Sequence, residues 1–325
     1  MRAMMLTSLF WSAAIFAQSP AKPDYNTYLQ GIKSQAVEQG ISQATVDKAL
    51  SQATFIERAV KLDKSQPEFK LTLDTYLPKA VPKWKIKQAR DLYKKHLPEL
   101  TEIGEMYGVQ PRFIVALWGI ETNFGGYTGN FDVVSALATL AYDGRREAFF
   151  KEQLFAALQI LDEGHISLDK MKGSWAGAMG QCQFMPTSFL TFAVDHDGDG
   201  RKDIWQTKVD VFASAANYLK QSGWNDDLTW GRQVQVPANL DLSITGLKQP
   251  QKTLAQWQAM GVRKTDGSDL PTRDISAWLV LPDDKDGRAY LAYDNYATLM
   301  KWNRSNYFVA AVGTLADSIA YPPIK

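Results

Sequence analysis

Apolar residues recur at intervals of three and four along most of this chain, a spacing typical of amphipathic helices. Residues 24–100 follow this spacing with breaks at prolines, residues 99–224 follow it with glycine-rich interruptions, and residues 298–319 return to it. The pattern therefore predicts a mainly helical protein with long connecting loops. The glycine-rich interruptions lie at 125–129, 173–180 and 195–200.

The pattern changes after Trp230, where short segments alternate apolar and polar residues as strands do. Two of these segments flank a polar turn that begins Pro-Asp-Asp, and they predict a hairpin. A small β module thus interrupts the helical body, and the predicted fold class is mainly α with a small β module (α+β). The segments predicted as strands are 234–237, 240–244, 277–281 and 289–293, and residues 253–260 are predicted to form a short helix.

One predicted helix places an acid on its apolar face. It starts at Pro111 and runs to the glycine pair at 125–126. Because burial disfavours a charged carboxylate, the pKa of Glu121 should rise, and a carboxyl still protonated near neutral pH can act as a general acid. The pattern equally allows a structural Glu in an ion pair. The apolar face consists of Ile114, Leu117, Trp118 and Glu121.

An acidic loop at 195–206 has the spacing of an EF-hand calcium loop. Gly200 occupies the sharp-turn position, and Arg201 would contribute its backbone carbonyl. Gln206 replaces the usual bidentate Glu, and Asp210 would close the site if the loop is longer. The alternative is an acidic turn without an ion. Carboxylates occupy loop positions one, three, five and nine, namely Asp195, Asp197, Asp199 and Asp203.

Two further motifs carry polar chemistry. Residues 173–189 combine glycines and alanines with amide, hydroxyl and aromatic side chains, a mixture that suits a polyol ligand, although a tight packing loop is the alternative. Arg145 and Arg146 stand at a predicted helix start. An arginine there can meet a substrate carboxylate, and a structural salt bridge is the alternative.

Composition narrows the function classes. The 325 residues carry a net charge of +1, which gives no support for nucleic-acid binding, and 45% of them are hydrophobic, enough for a sizeable core. Cys182 is the one cysteine, so it has no disulfide partner within the chain and is expected to be a small buried thiol. The three histidines show no metal-ligand spacing and are expected to be incidental.

The first 17 residues predict a secretory signal peptide. An Arg precedes a short apolar run that ends in small residues, with cleavage expected near Ala17. The run is shorter than the roughly 20 apolar residues that span a bilayer, and a buried N-terminal helix is the alternative. No cysteine follows to accept a lipid, so we expect a soluble periplasmic protein without a transmembrane segment.

Several motifs together resemble the MltB-type lytic murein transglycosylases, and they occur in that family's order and spacing from about Tyr76 to Tyr307. The resemblance implies a lysozyme-like helical core with an EF-hand-like calcium loop, an extra helical domain and a small β domain. The implied divisions are a signal peptide at 1–17, a helical domain at 18–98 and a β domain at 230–297. The core is implied to consist of residues 99–229 and 298–322 and to contain the EF-hand-like loop at 195–210. The motifs are Glu-Thr-Asn-Phe-Gly at 121–125, residues 135–142, Arg145 and Arg146, residues 173–188, and Asp-Ile-Trp at 203–205.

The resemblance implies cleavage of the β-1,4 bond between N-acetylmuramic acid and N-acetylglucosamine in peptidoglycan, with 1,6-anhydromuramic acid ends and Glu121 as the single acid and base. Peptidoglycan strands are the implied partner, and a monomer is the default. The implied substrate contacts are Ser174, Gln183, Phe184, Met185, Tyr218, Asn303, Arg145, Arg146, Tyr76 and Tyr307. The implied ligands of a structural Ca²⁺ are Asp195, Asp197, Asp199, the Arg201 carbonyl and Asp210.

Two other functions remain open at this point. A lysozyme- or chitinase-type hydrolase would use a positioned water and usually a second carboxylate, for which Asp132 is a candidate. A non-catalytic peptidoglycan-binding protein would use the same groove, although the intact Glu121 argues against it.

Overall fold

Helices form most of the chain that the structure, a computed structural model, describes: residues 22–65 and 71–320. The predicted signal peptide at 1–17 lies outside the described residues. The first helices are α1 (Tyr25–Glu38), α2 (Gln43–Ser51), α3 (Glu57–Lys64), α4 (Leu73–Ala80), α5 (Lys83–Lys95), α6 (Leu97–Tyr107) and α7 (Pro111–Thr122). They are followed by α8 (Val133–Asp143), α9 (Glu147–Asp162), α10 (Pro186–Phe192), α11 (Lys208–Gln221), α12 (Leu254–Ala259), α13 (Asp294–Trp302) and α14 (Asn306–Ile319).

Local sequence signals set many helix starts. Asp24 and Asp132 accept hydrogen bonds from the first backbone N–H groups of α1 and α8, and Ser42 does the same for α2. Pro111 and Pro186 begin α7 and α10, where the missing N–H is not needed. These residues at the helix starts explain where the predicted helical regions divide into separate helices.

The β module is a five-stranded antiparallel sheet in the order β4-β6-β7-β3-β5, and a separate short pair joins β1 to β2. The predicted hairpin is confirmed, because β6 and β7 pair antiparallel, and the predicted helix at 253–260 is present as α12. The strands are β1 (Phe131–Asp132), β2 (Lys172–Gly173), β3 (Gly231–Gln235), β4 (Lys252–Thr253), β5 (Arg263–Lys264), β6 (Ser276–Val280) and β7 (Ala289–Ala292).

One prediction of local structure was wrong. The segment 240–244 is not a strand, because the Asp241 side chain accepts from the Ser243 N–H at 2.9 Å and starts a 3₁₀ turn at Leu242–Ile244. The helical region predicted at 298–319 is confirmed, and it consists of two helices, α13 and α14. The chain is extended at Asn303, and the Ser305 side chain caps α14.

Two hydrophobic cores stabilise the fold. The larger one is built from buried residues between Leu29 and Ala316, so helices from the first hundred residues share it with α7, α8, α9, α11 and α14. The smaller core lies within the β module, where Trp257 and Leu279 are fully buried. The shared core fixes the early helices against α7, the helix that carries Glu121.

None of the helices within residues 22–65 and 71–320 combines the length and the apolar character that crossing a membrane requires.

Candidate active site

Helix α7 presents Glu121 one residue before the helix ends. The structure ends α7 at Thr122, earlier than the predicted glycine pair, because Asn123 adopts a left-handed conformation (φ 51°). Phe124 and Gly125 are also left-handed, with φ of 60° and 79°. This sharp turn folds the Phe124 ring back onto Gly119, where an added Cβ would lie 2.6 Å from the ring. The turn therefore holds Glu121 at the exposed end of an otherwise buried helix.

The Glu121 carboxyl lies in apolar surroundings and has one protein hydrogen bond among the described residues, from Trp302 Nε1 to Oε1 at 2.6 Å. Burial raises the pKa of Glu121 to about 7, although the Trp302 N–H acts in the opposite direction. The carboxyl borders a cavity of about 10 Å³, room for at most about one water. Glu121 is nonetheless only partly buried, so a ligand can reach it. Its raised pKa confirms the prediction made from the apolar face.

Three aromatic rings surround this hydrogen bond. The Trp302 ring centre lies 4.6 Å from that of Tyr218 and 5.3 Å from that of Phe184. The Tyr218 hydroxyl donates to the Lys301 carbonyl at 2.7 Å. Phe184 is only 3% exposed, so in this structure its ring contacts the other two aromatics and has little surface for the sugar contact that the resemblance implies.

The glycine-rich segment lies beside α7 and contains the other implied groove residues. A short bridge between Met179 and Phe184 closes the turn, and Gln183 within it is left-handed (φ 49°). Gln183 Nε2 donates to the carbonyls of Thr128 and Gly180, at 3.1 and 2.9 Å. These bonds tie the segment to the loop that follows Glu121. The implied groove residues Ser174, Gln183 and Met185 in this segment are each partly exposed.

Tyr76 and Tyr307 form an aromatic pair at the site, with ring centres 5.4 Å apart. Burial raises the pKa of Tyr76, and the negative charge of Glu121 adds to this effect, so the two side chains lie near one another. The Tyr307 hydroxyl lies at hydrogen-bond distance from the Leu71 carbonyl and the Asp283 carboxylate. Asn303, between α13 and α14, is exposed.

The two arginines are held by a buried acid. Arg145 Nε donates to Asp63 Oδ2 at 2.6 Å, and Arg146 Nη2 donates to Asp63 Oδ1 at 2.8 Å. The Arg145 guanidinium lowers the pKa of the Asp63 carboxyl. In this structure both arginines therefore make the structural salt bridge that the sequence allowed, although their side chains remain about half exposed.

The acidic loop brings together three of the five implied metal ligands. Carboxylate oxygens of Asp195, Asp197 and Asp210 lie within 4.8 Å of one another. Asp199 lies outside this cluster, because its carboxylate accepts from the backbone and the guanidinium of Arg201. Asp203 also lies outside it. Its carboxylate accepts from the backbone N–H groups of the following turn at 2.9 Å, in accord with its exclusion from the ligand set.

Two features escaped sequence reasoning. Trp302 directly precedes Asn303, an implied substrate contact, but its link to Glu121 joins residues 181 positions apart. Gln181 lies in the segment 173–189 that the sequence predicts to suit a polyol ligand, yet its side chain is buried and bonds to protein groups. Cys182 is a buried thiol, as predicted, and burial raises its pKa.

Comparison with known proteins agrees with this geometry. Residues 24–317 match the family model described as the transglycosylase SLT domain. The chain is 33% identical over 230 residues to the membrane-bound lytic murein transglycosylase B of Escherichia coli (strain K12). This match covers 70% of the chain and 61% of that relative's length.

Two solved structures show the same architecture. SltB3 from Pseudomonas aeruginosa in complex with NAG-anhNAM-pentapeptide superposes with a TM-score of 0.87 at 40% identity, over 93% of this chain and 83% of that one. The Escherichia coli lytic transglycosylase Slt35 in complex with calcium superposes with a TM-score of 0.77 at 28% identity, over 90% and 92%. The predicted lysozyme-like fold class is confirmed, and the chain belongs to the transglycosylase SLT domain family.

Proposed function

We propose that this protein is a lytic transglycosylase that cleaves the β-1,4 bond between N-acetylmuramic acid and N-acetylglucosamine in peptidoglycan. The observation that carries the proposal is a partly accessible carboxyl, Glu121, with a pKa of about 7 at the end of a buried helix. At neutral pH this group is present in both protonation states, which suits a residue that must first donate and then accept a proton. Relatives that bind or cleave peptidoglycan support the choice of substrate.

In the proposed reaction, protonated Glu121 gives its proton to the glycosidic oxygen, and the bond from that oxygen to muramic C1 breaks. The 2-acetamido oxygen of the substrate stabilises C1 in the interval. The Glu121 carboxylate then takes the proton of the C6 hydroxyl as the C6 oxygen attacks C1. The products are an N-acetylglucosamine end and a 1,6-anhydromuramic end, no water is consumed, and Glu121 is protonated again.

The surroundings of Glu121 favour this single-carboxyl scheme over hydrolysis. Hydrolysing glycosidases usually pair two carboxyl groups. Among the described residues, burial and the Trp302 N–H are the two influences on the pKa of Glu121. The carboxylate of Asp132, the candidate second acid, caps α8 through the Ser135 N–H at 2.7 Å and lies 3.5 Å from Lys172 Nζ.

We further propose that the sugar chain lies across the surface between the glycine-rich segment and the Tyr76–Tyr307 pair. These elements offer neutral polar groups and aromatic faces near Glu121. Arg145 and Arg146 would meet substrate carboxylates while they keep their bonds to Asp63. The proposed contacts are Ser174, Gln183, Met185, Tyr218, Asn303, Tyr76 and Tyr307, with Phe184 behind them.

We propose that the acidic loop binds a structural Ca²⁺. Oxygen donors from several carboxylates and a carbonyl suit this hard cation, and Asp210 is buried beside the exposed Asp197. Asp195, Asp197, Asp210 and the Arg201 carbonyl would provide ligands. The Asp199 side chain would have to turn away from the Arg201 guanidinium to join them. The ion would hold the loop against α11 and would take no part in the reaction.

We also propose a periplasmic, soluble, monomeric protein made after removal of residues 1–17, and a division into domains at 18–98, 99–229 with 298–322, and 230–297. The second hydrophobic core, which lies within the β module, supports the last of these divisions.

Mass spectrometry of the fragments released from purified sacculi tests the proposed reaction. Wild-type protein should release muropeptides that are one water lighter than hydrolysed ones, and Glu121→Gln should release none while still binding sacculi. Reducing ends that carry the added water would contradict transglycosylation and indicate a hydrolase. Binding without any turnover by the wild type would indicate a non-catalytic wall-binding protein.

A further inference from the structure

The two oxygens of the Glu121 carboxyl differ in their hydrogen bonding to the protein. Oε1 accepts from Trp302 Nε1 at 2.6 Å, and within residues 22–65 and 71–320 this is the one side-chain hydrogen bond that acts on the carboxyl. An indole N–H is a donor only, so it stabilises an oxygen that has a lone pair to offer. Oε2 is left for the substrate.

We propose that Trp302 is a positioning residue that fixes Oε1 as the acceptor and leaves the transferable proton on Oε2. The carbonyl oxygen of a carboxylic acid is a better acceptor than its hydroxyl oxygen. The Trp302 N–H therefore selects the form of Glu121 in which Oε2 carries the proton. The inference rests on the proposed role of Glu121 as acid and base, and it adds which oxygen performs both transfers.

The same hydrogen bond acts on the charge that develops during the reaction. When Glu121 gives up its proton it becomes a carboxylate in apolar surroundings, where charge is poorly solvated. A hydrogen bond to a charged group is stronger than one to a neutral group. The Trp302 N–H thus stabilises the ionised state more than the ground state, and this difference lowers the barrier to proton donation.

The surrounding aromatic residues hold the indole in place for this purpose. Phe184 is buried against the Trp302 ring, and Tyr218 packs on it with a centroid distance of 4.6 Å. The Tyr218 hydroxyl also bonds to the carbonyl of Lys301, the peptide group that enters Trp302. Phe184 and Tyr218 therefore act on Glu121 through Trp302, in addition to any contact with the sugar.

The test is Trp302→Phe, which keeps an aromatic ring and removes the donor. The Glu121 carboxyl is titrated by ¹³C NMR in protein labelled at glutamate Cδ, and Glu121→Gln assigns its signal. We expect the pKa of Glu121 to rise by about one unit or more, because hydrogen bonds to charged groups favour the ionised form by that order. Trp84→Phe is the control, since Trp84 is 56% exposed and should leave the titration unchanged.

Turnover of a soluble glycan fragment is measured in the same variants. We expect kcat of Trp302→Phe to fall about tenfold or more, with little change in KM, and the alkaline limb of its pH profile to move up with the new pKa. A role limited to packing would lower stability but would not move that limb. Replacement of Trp302 by benzothienylalanine, in which sulfur takes the place of the N–H, keeps the ring shape and decides the question if Trp302→Phe folds poorly.

Two results would overturn the proposal: an unchanged pKa of Glu121 in both Trp302 variants, or a raised pKa with wild-type kcat and pH profile. The titration measures the effect of the hydrogen bond on the pKa of Glu121 and does not require turnover. It therefore remains a valid test if the wild type releases hydrolysed ends. Such ends would contradict the proposed reaction and not the link between Trp302 and Glu121.

Discussion

Gln181 Oε1 lies 2.7 Å from Trp118 Nε1, one helical turn before Glu121. The same amide donates from Nε2 to the Trp205 carbonyl at 2.6 Å, and the Gln181 carbonyl accepts from the Thr122 hydroxyl at 3.1 Å. One buried side chain thus joins α7, the glycine-rich segment and the acidic loop. Direct hydrogen bonds therefore connect the orientation of α7 to the conformation of the acidic loop.

Replacement of Gln181 by Leu should destabilise the protein by about 3 kcal/mol, because it leaves the buried Trp118 N–H and the partly buried Trp205 carbonyl without these partners. Urea unfolding measures this change. Gln221→Leu is the control, since Gln221 is exposed and its side chain donates to Asn217 at the surface, so its effect should stay within about 0.5 kcal/mol. Equal stability of the two variants would show that the Gln181 bonds do not hold the segments together.

Glu121→Gln should be more stable than the wild type at alkaline pH. The pKa of Glu121 is raised from 4.5 to about 7 in the folded protein. Between these pH values the unfolded chain loses the Glu121 proton while the folded protein keeps it, so the free energy of unfolding falls as pH rises. The wild type loses this stability as pH rises from about 4.5 to 7, by up to about 3 kcal/mol, whereas Gln does not titrate. Urea unfolding of both proteins at pH 4.5 and pH 8 should show a gap only at pH 8. A gap of the same size at both would contradict the raised pKa.

The rate of cleavage should fall on the alkaline side of neutrality. The first step of the proposed reaction needs a protonated Glu121, whose pKa is about 7, so kcat/KM should drop about tenfold per pH unit above that value. The profile is measured on a soluble muropeptide with quantification of anhydro ends. Constant activity from pH 6 to pH 9 would be incompatible with Glu121 as the proton donor.

Asp283→Ala, a substitution in the β module, should lower stability and weaken substrate binding at the candidate site. The Asp283 carboxylate accepts from the Leu73 N–H at 2.7 Å, at the start of α4, and contacts the Tyr307 hydroxyl. Its loss removes a helix cap worth about 1–2 kcal/mol and frees the Tyr76–Tyr307 pair, so we expect lower stability and a higher KM. Asp286→Ala, an exposed change in the same loop, is the control. If both variants resemble the wild type, the β module does not position α4.

Calcium should raise the melting temperature of the wild type, with about 2.7 kcal/mol of stabilisation when its concentration is a hundred times Kd. Differential scanning calorimetry with EDTA or CaCl₂ measures the shift. Asp210→Asn should abolish it, and Asp199→Asn should reduce it less, because Asp199 lies outside the carboxylate cluster. Asp227→Asn, an exposed acid outside the loop, should keep the full shift. A wild-type melting temperature indifferent to calcium would rule out the metal site.

The sequence predicted the properties of Glu121 more completely than the local structure around it. The apolar face of α7 was enough to predict a raised pKa for Glu121, because helical spacing and desolvation are local properties. It was not enough to predict where α7 ends, since Asn123 takes the left-handed conformation before the glycines are reached. The pattern at 240–244 was also ambiguous, and a local bond from Asp241 decided it in favour of a turn.

The sequence by itself determined the helical body, the hairpin of the β module, the acid on the apolar face of α7 and the acidic loop, because periodicity, caps and turn residues act within a few positions. Tertiary structure alone decided which side chains meet. Trp302 reaches Glu121 across 181 positions, Arg145 reaches Asp63 across 82, and Trp118 reaches Gln181 across 63. Such pairs depend on how the shared core packs the helices, and no spacing along the chain encodes that.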